Sequence, residues 1–210
     1  MKKVLIADDH KILRDGLKRI LDDTDDFIVA GEAGSSREVL KKIRKESYDV
    51  LLLDISMPGI SGMEIIKDVK SESPGCAILI LSTFPEEQYA IRALRAGASG
   101  YLTKESATDS LIDAIKKVSS GSRYLSASMA ERIAFDLGGD TKMVGHEKLS
   151  DREYQVMCMI ASGKPVSKIA DELSLSVKTI STNRSRLLKK MDMKNNAEIT
   201  HYAIKSGLVE

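Results

Sequence analysis

Between residues 4 and 119, short apolar runs alternate with segments of helical period. The runs at 4–7, 27–30, 50–53, 77–81 and 100–102 are bounded by charged or turn-forming residues and predict five strands. Between them, 10–22, 36–46, 63–72 and 86–96 carry apolar residues three and four apart, and 107–119 repeats that spacing after the last run. In the first of these segments Ile12, Leu13, Leu17, Ile20 and Leu21 read as one inward face. Runs that are apolar throughout are buried on both sides, as in parallel sheets. Five successive strand–helix units therefore predict an α/β domain with a doubly wound, five-stranded parallel sheet. Turn chemistry falls between the elements, at Met57-Pro58-Gly59, Ser61-Gly62, Pro74-Gly75, Gly97 and Gly100.

After residue 119 the pattern changes. Residues 127–137 read as one more helix, and the glycine-bearing stretch 138–145 reads as a linker. From Leu149 only helical signals remain. Ser150, with Glu153 three places on, makes a capping box. Residues 165–173 predict a short helix, Ser174-Leu175 a tight turn, and Ser176 the cap of a longer helix ending at Met191. On that helix Val177, Ile180, Leu187, Leu188 and Met191 are expected to pack inward. The organisation predicted is a first domain over 1–125, a linker with one helix over 126–146, and a small all-α domain over 147–210.

Composition narrows the class. The 210 residues are 42% hydrophobic and 30% charged, an ordinary globular balance. No apolar run approaches a membrane span, and Asp8-Asp9 end the N-terminal run too early for a signal peptide, so a cytoplasmic protein with no membrane partner is expected. Cys76 and Cys158 are isolated and His10, His146 and His201 scattered, so no zinc site is expected. The net charge of +1 hides an asymmetry: residues 146–210 carry 11 Lys+Arg against 8 Asp+Glu. That segment is the one suited to a polyanion.

The chemistry-bearing residues stand just past strand ends, where functional groups collect in such sheets. Asp8 and Asp9 follow the first run, Asp54 the third, Ser82 the fourth and Lys104 the fifth. Three converging carboxylates call for a proton or a divalent cation. The set resembles the receiver domain of two-component response regulators, over about residues 2–122. That resemblance implies Asp54 as phosphoacceptor and a histidine kinase as donor, the protein otherwise not being an enzyme. It implies Mg²⁺ held by Asp9, Asp54 and the Ser56 backbone carbonyl, with Asp8 acting through water. Ser82 and Lys104 would hold the phosphoryl oxygens, and Tyr101 would be a switch aromatic that rotates inward as Ser82 is drawn toward the phosphoryl group. Phe84 would slow attack by water. Ser56, two places after Asp54, argues against hydrolases built on an Asp-x-Asp nucleophile motif.

Short helix, turn and longer helix make a helix-turn-helix, and the longer one is basic with no acidic residue from Val177 to Met191. Together with Leu149-Ser150-Asp151-Arg152-Glu153, Ser176-Val177-Lys178-Thr179-Ile180 and Ala203-Ile204-Lys205-Ser206-Gly207-Leu208, it resembles the output domain of NarL/FixJ (LuxR-type) regulators. The implied protein is a phosphorylation-dependent transcriptional regulator that binds promoter DNA as a homodimer, with a fourth helix over 195–206 supporting dimerisation. Ser181, Thr182 and Ser185 are the candidate base-facing residues. Lys178, Thr179, Arg184, Arg186 and Lys189 are candidates for phosphates. Asn183 replaces a histidine frequent in that family and Val166 an asparagine, and Asn183 is kept as a DNA-contact candidate. A receiver acting by protein contact alone, a ligand-sensing factor and a regulator independent of phosphorylation are the competing readings.

Overall fold

The computed structural model describes residues 1–57, 62–127, 129–131 and 145–209. The chain divides into two compact units, Met1–Ile133 and Ala134–Glu210.

The first unit alternates β1 (Lys2–Ala7), α1 (Lys11–Asp22), β2 (Phe27–Ala33), α2 (Ser36–Lys45), β3 (Val50–Leu53), α3 (Gly62–Glu72), β4 (Ala77–Ser82), α4 (Glu86–Ala96), β5 (Gly100–Thr103) and α5 (Ala107–Ser119). The strands form one parallel sheet in the order β2-β1-β3-β4-β5. Strand alternation sends Val4, Ile6, Val50, Leu52, Leu79 and Leu81 into one core with Leu17, Leu21, Leu111, Ile115 and Val118 of α1 and α5. Leu5, Leu51, Leu53, Ile78 and Ile80 point the other way and are equally buried.

Two details depart from the sequence expectation. Ile12 is 88% exposed, because at 100° per residue it lies about 80° outside the arc of Leu13, Leu17, Ile20 and Leu21. β2 runs on to Ala33, because an extra residue at Ala30 lets the ladder resume: Val4 pairs with Val29 but Leu5 with Gly31. After α5 the chain turns back onto the sheet edge. Gly100 bridges Tyr124 in parallel, the Tyr101 N–H donates to the Tyr124 carbonyl at 3.2 Å, and the Tyr124 N–H donates to that of Ser99 at 3.0 Å. Gly100 permits this approach, since a Cβ there would stand 2.8 Å from the Tyr124 carbonyl oxygen. Ser126 then donates its N–H to Glu86 Oε1 at 3.2 Å, and Met129 is buried. Of the helix predicted over 127–137, residues 127 and 129–131 are helical; 132–137 and the linker residues 138–144 lie outside the described residues, as do Pro58 and Gly59 of the predicted turn.

The second unit opens with a 3-10 turn (Gly145–Lys148) and continues as α6 (Asp151–Ala161), α7 (Val166–Glu172), α8 (Val177–Met191) and α9 (Asn196–Lys205). The capping box is present: Ser150 Oγ accepts from the Glu153 N–H, and Glu153 Oε2 accepts from the Ser150 N–H at 2.8 Å. Glu153 through Ala161 are all buried, so α6 is the central helix against which α8 and α9 pack. Between α7 and α8, Ser174 takes a left-handed conformation (φ 52°), which gives the tight turn its reversal. Val177 is 52% exposed rather than inward, because as the first residue of α8 it lies beyond the packed stretch centred on Ile180 and Leu187.

Candidate functional site

β1 lies between β2 and β3, so the strand order reverses direction at β1/β3, the crevice where ligands bind in open α/β sheets. Asp8 and Asp9 leave the end of β1 there and Asp54 leaves the end of β3. The Asp54 N–H is tied to the Ala7 carbonyl at 2.8 Å, which brings the two loops together. Carboxylate oxygens of Asp8, Asp9 and Asp54 and a ring nitrogen of His10 all lie within 4.8 Å of one another.

Lys104 reaches this group from the end of β5, guided by its own N–H on the Ser82 carbonyl at 2.8 Å. Its Nζ donates to Asp8 Oδ2 at 2.6 Å and to Asp54 Oδ2 at 2.7 Å. Both carboxylates are almost fully buried. Burial pushes the Asp54 carboxyl up, and the Lys104 ammonium and the Ser56 N–H only partly offset it, while the Asp8 charge adds to the rise. For Lys104, burial favours the neutral amine, but Asp54 and Asp8 outweigh it and raise its pKa. The ammonium therefore stays charged and its neighbours oppose its release.

Ser82 and Tyr101 occupy the same side of the site. Ser82 Oγ is buried and accepts from the Phe84 N–H at 3.1 Å. Tyr101 is inside, not at the surface, with its hydroxyl donating to the Phe84 carbonyl at 2.9 Å. Phe84 thus carries both contacts, one on each of the two peptide groups that flank its Cα. Ser56 donates its N–H to Asp54 Oδ1 at 2.8 Å. Sequence reasoning missed three neighbours. His10 Nδ1 stands 2.9 Å from Asp9 Oδ1, and Arg14 and Glu32 brace the loop from behind. His10 directly follows the acidic pair, the one signal that could have drawn it in; nothing in the spacing of Arg14 and Glu32 joins them.

The donor set is oxygen-rich, which suits a hard cation such as Mg²⁺ over a thiolate- or imidazole-seeking metal. Ser56 Oγ, beside Asp54, is buried with no hydrogen-bond partner, a further oxygen on the same loop.

In the second unit α8 presents Lys178, Thr179, Ser181, Thr182, Ser185, Arg186 and Lys189 on its exposed surface. Arg184 is half-buried and donates from Nε to Asn196 Oδ1 at 2.6 Å. Asn183 departs from its expected role as a DNA contact. It is 9% exposed and donates from Nδ2 to the Thr179 carbonyl at 3.0 Å, because its position falls on the face of Ile180 and Leu187.

The response regulator receiver domain family matches residues 4–116, and the luxR family of bacterial regulatory proteins matches residues 147–203. The chain belongs to the response regulators. Response regulator UvrY of Escherichia coli (strain K12) is 36% identical over 209 residues, 99% of this chain and 96% of that one. Response regulator GacA of Pseudomonas aeruginosa is 34% identical over 211 residues, 100% of this chain and 99% of the relative. RcsB from Salmonella enterica serovar Typhimurium, solved bound to promoter rprA in the presence of the phosphomimetic BeF3-, superposes with a TM-score of 0.64 at 27% identity, covering 96% of this chain and 97% of that one. This response regulator is a phosphorylation-dependent transcription regulator with a receiver and a LuxR-type DNA-binding domain. No helix among its described residues is long and apolar enough to cross a membrane.

Proposed function

We propose that Asp54 is the phosphoacceptor of this regulator, that the regulator acts in the cytoplasm, and that a histidine kinase is its donor. The observation that carries the reading is Lys104 held between Asp8 and Asp54 at the strand-order reversal. An Asp54 carboxylate oxygen attacks the phosphorus, forming the O–P bond as the N–P bond to the donor imidazole breaks. Asp9, Asp54 and the Ser56 backbone carbonyl would hold Mg²⁺, with Asp8 acting through water. Bound there, Mg²⁺ supplies positive charge to the equatorial phosphoryl oxygens and to the carboxylate cluster.

The remaining work falls to side chains. Lys104 exchanges its carboxylate partners for a phosphoryl oxygen, keeping a charge-assisted hydrogen bond throughout. Ser82 turns its hydroxyl from the Phe84 N–H to another phosphoryl oxygen. Tyr101 already lies inside with its hydroxyl on the Phe84 carbonyl, so phosphorylation secures this arrangement of the β4–α4 loop more than it creates it. Phe84 screens the acyl phosphate from water, and beyond its own phosphorylation and slow dephosphorylation the protein catalyses nothing.

The receiver then controls pairing of two copies on promoter DNA. α8 enters the major groove, with Lys178, Thr179, Arg186 and Lys189 on phosphates and Ser181, Thr182 and Ser185 toward base edges. Thr182 and Ser185 hydroxyls are engaged with the carbonyls of Lys178 and Ser181, so discrimination by these residues is weak and DNA shape carries part of the specificity. Arg184 reaches DNA only by leaving Asn196. Intact mass after incubation with acetyl phosphate and Mg²⁺ tests the receiver chemistry: a single phosphoryl adduct on the wild type and none on Asp54→Asn. Adducts on both would move the phosphoacceptor elsewhere.

A further inference from the structure

Arg14 and Glu32 stand outside the strand-end set, yet they hold the loop that carries it. Arg14 lies one turn into α1 with its side chain largely buried. Its Nη1 donates to the Asp8 carbonyl oxygen at 2.7 Å and its Nε to Glu32 Oε2 at 3.1 Å. The bulge in β2 makes this possible. Side chains alternate along a strand, so one extra residue reverses the facing of all that follow. With Ala30 inserted, Glu32 pairs with Ile6 and shares its face, the face covered by α1. Without the insertion Glu32 would point to the opposite layer and Arg14 would have no anchor.

The carbonyl that Arg14 grips belongs to the peptide joining Asp8 to Asp9. The His10 N–H fixes the Asp8 side chain separately, on Oδ1 at 2.8 Å. With the peptide plane pinned, the direction in which Asp9 leaves the backbone is set. Asp9 is the least buried of the three carboxylates, and among the described residues no backbone hydrogen bond ties its own N–H or carbonyl. The geometry points to Arg14 as the positioning residue for Asp9 in divalent-cation binding, with Glu32 as its anchor and countercharge. This rests on the Mg²⁺ reading above.

The sign of one substitution separates this role from a bland one. A guanidinium near a cation site repels the cation, so if Arg14 acted only through charge, removing it would tighten Mg²⁺ binding. If it positions Asp9, removing it weakens binding. Titration calorimetry of the full chain with MgCl₂ reads the difference, at a temperature where circular dichroism shows each variant folded. For Arg14→Gln the expected dissociation constant rises about 10-fold, the scale of losing an outer-shell partner. The Mg²⁺ concentration that half-saturates phosphorylation by acetyl phosphate rises in step, while the rate at saturating Mg²⁺ is kept. Arg14→Lys keeps the charge but not the two-point grip on the Asp8 carbonyl and Glu32. Charge alone therefore predicts unchanged binding and positioning predicts weaker binding, so this variant carries the test if Arg14→Gln does not fold. Wild-type binding with equal or tighter binding in the variants overturns the role of Arg14 alone. Failure of the wild type to bind Mg²⁺ overturns the pocket reading, and this inference with it.

Discussion

Lys190→Met tests how the DNA-binding domain is held together. Lys190, near the end of α8, donates to Glu153 Oε2 at 2.7 Å, and Glu153 is 4% exposed in its capping box on α6. The pair therefore ties the helix proposed to enter DNA to the central helix. An exposed pair contributes about 0.2–1 kcal/mol, and breaking a fully buried one costs about 3–5 kcal/mol. Lys190 is nearly half exposed, and Glu153 keeps its Ser150 contacts when the lysine is gone, so the loss expected is about 1–2 kcal/mol. Methionine retains the aliphatic stem, which isolates the charge.

The pH dependence supplies the refutation. Burial alone would raise the Glu153 pKa, but Lys190 and the Ser150 donors win and lower it. A carboxyl whose folded pKa is depressed stabilises fully above its unfolded value of about 4.3, and that stability is lost as pH falls through the folded value. The difference between wild type and Lys190→Met should thus be complete at pH 7 and shrink as the solution is acidified below about 4.3. Amide hydrogen exchange of α6 and α8 in the full chain reads it region by region, without assuming that two units unfold together. A difference that stays constant from neutral to acid pH would show that the ion pair is not its source.

Three further outcomes follow from geometry already given. Gly62→Ala would place a Cβ 2.5 Å from Ile55 Cβ and 2.6 Å from its Cα, beside Asp54; a loss of about 1–3 kcal/mol is expected in thermal unfolding, together with slower adduct formation from acetyl phosphate. Tyr101→Phe removes the hydroxyl that donates to the Phe84 carbonyl and should lower receiver stability by about 1 kcal/mol, read as an earlier urea midpoint, with Asp54 still phosphorylated. Lys178→Gln should weaken binding to all DNA sequences alike and flatten the log–log salt dependence by about 0.9 in fluorescence anisotropy; an unchanged slope would remove Lys178 from the phosphate contacts.

Much of this was legible along the chain because it is written in local terms. Apolar runs of three to five residues, Ser150 and Ser176 as helix caps, and glycines at turns each act over a few positions. The strand-end residues were legible for the same reason, since a parallel sheet sends the end of every strand to one edge. What escaped depends on phase or on distant partners. Ile12 and Val177 are apolar yet exposed, the first through its angular position on α1 and the second through its place at the very start of α8. The bulge at Ala30 is marked in β2 only by Gly31 beside it, which hints at an irregularity but does not fix the register, so neither the extra length of the strand nor the facing of Glu32 was read. Asn183 looks like a polar surface residue until the helix is drawn and its amide is found on the Thr179 carbonyl.

The return of the chain onto β5 bears on where this protein can be cut and recombined. The family match to the receiver stops at residue 116, and α5 ends at Ser119. Yet the backbone groups at the sheet margin are satisfied by Tyr124, and Met129 is buried still further along. A fragment stopped at Ser119 would expose a strand edge, with the self-association that unpaired edges invite. The module that keeps its own margin closed extends through residue 131. A chimera that grafts a foreign output domain onto this receiver should therefore splice beyond that point, well past the family boundary.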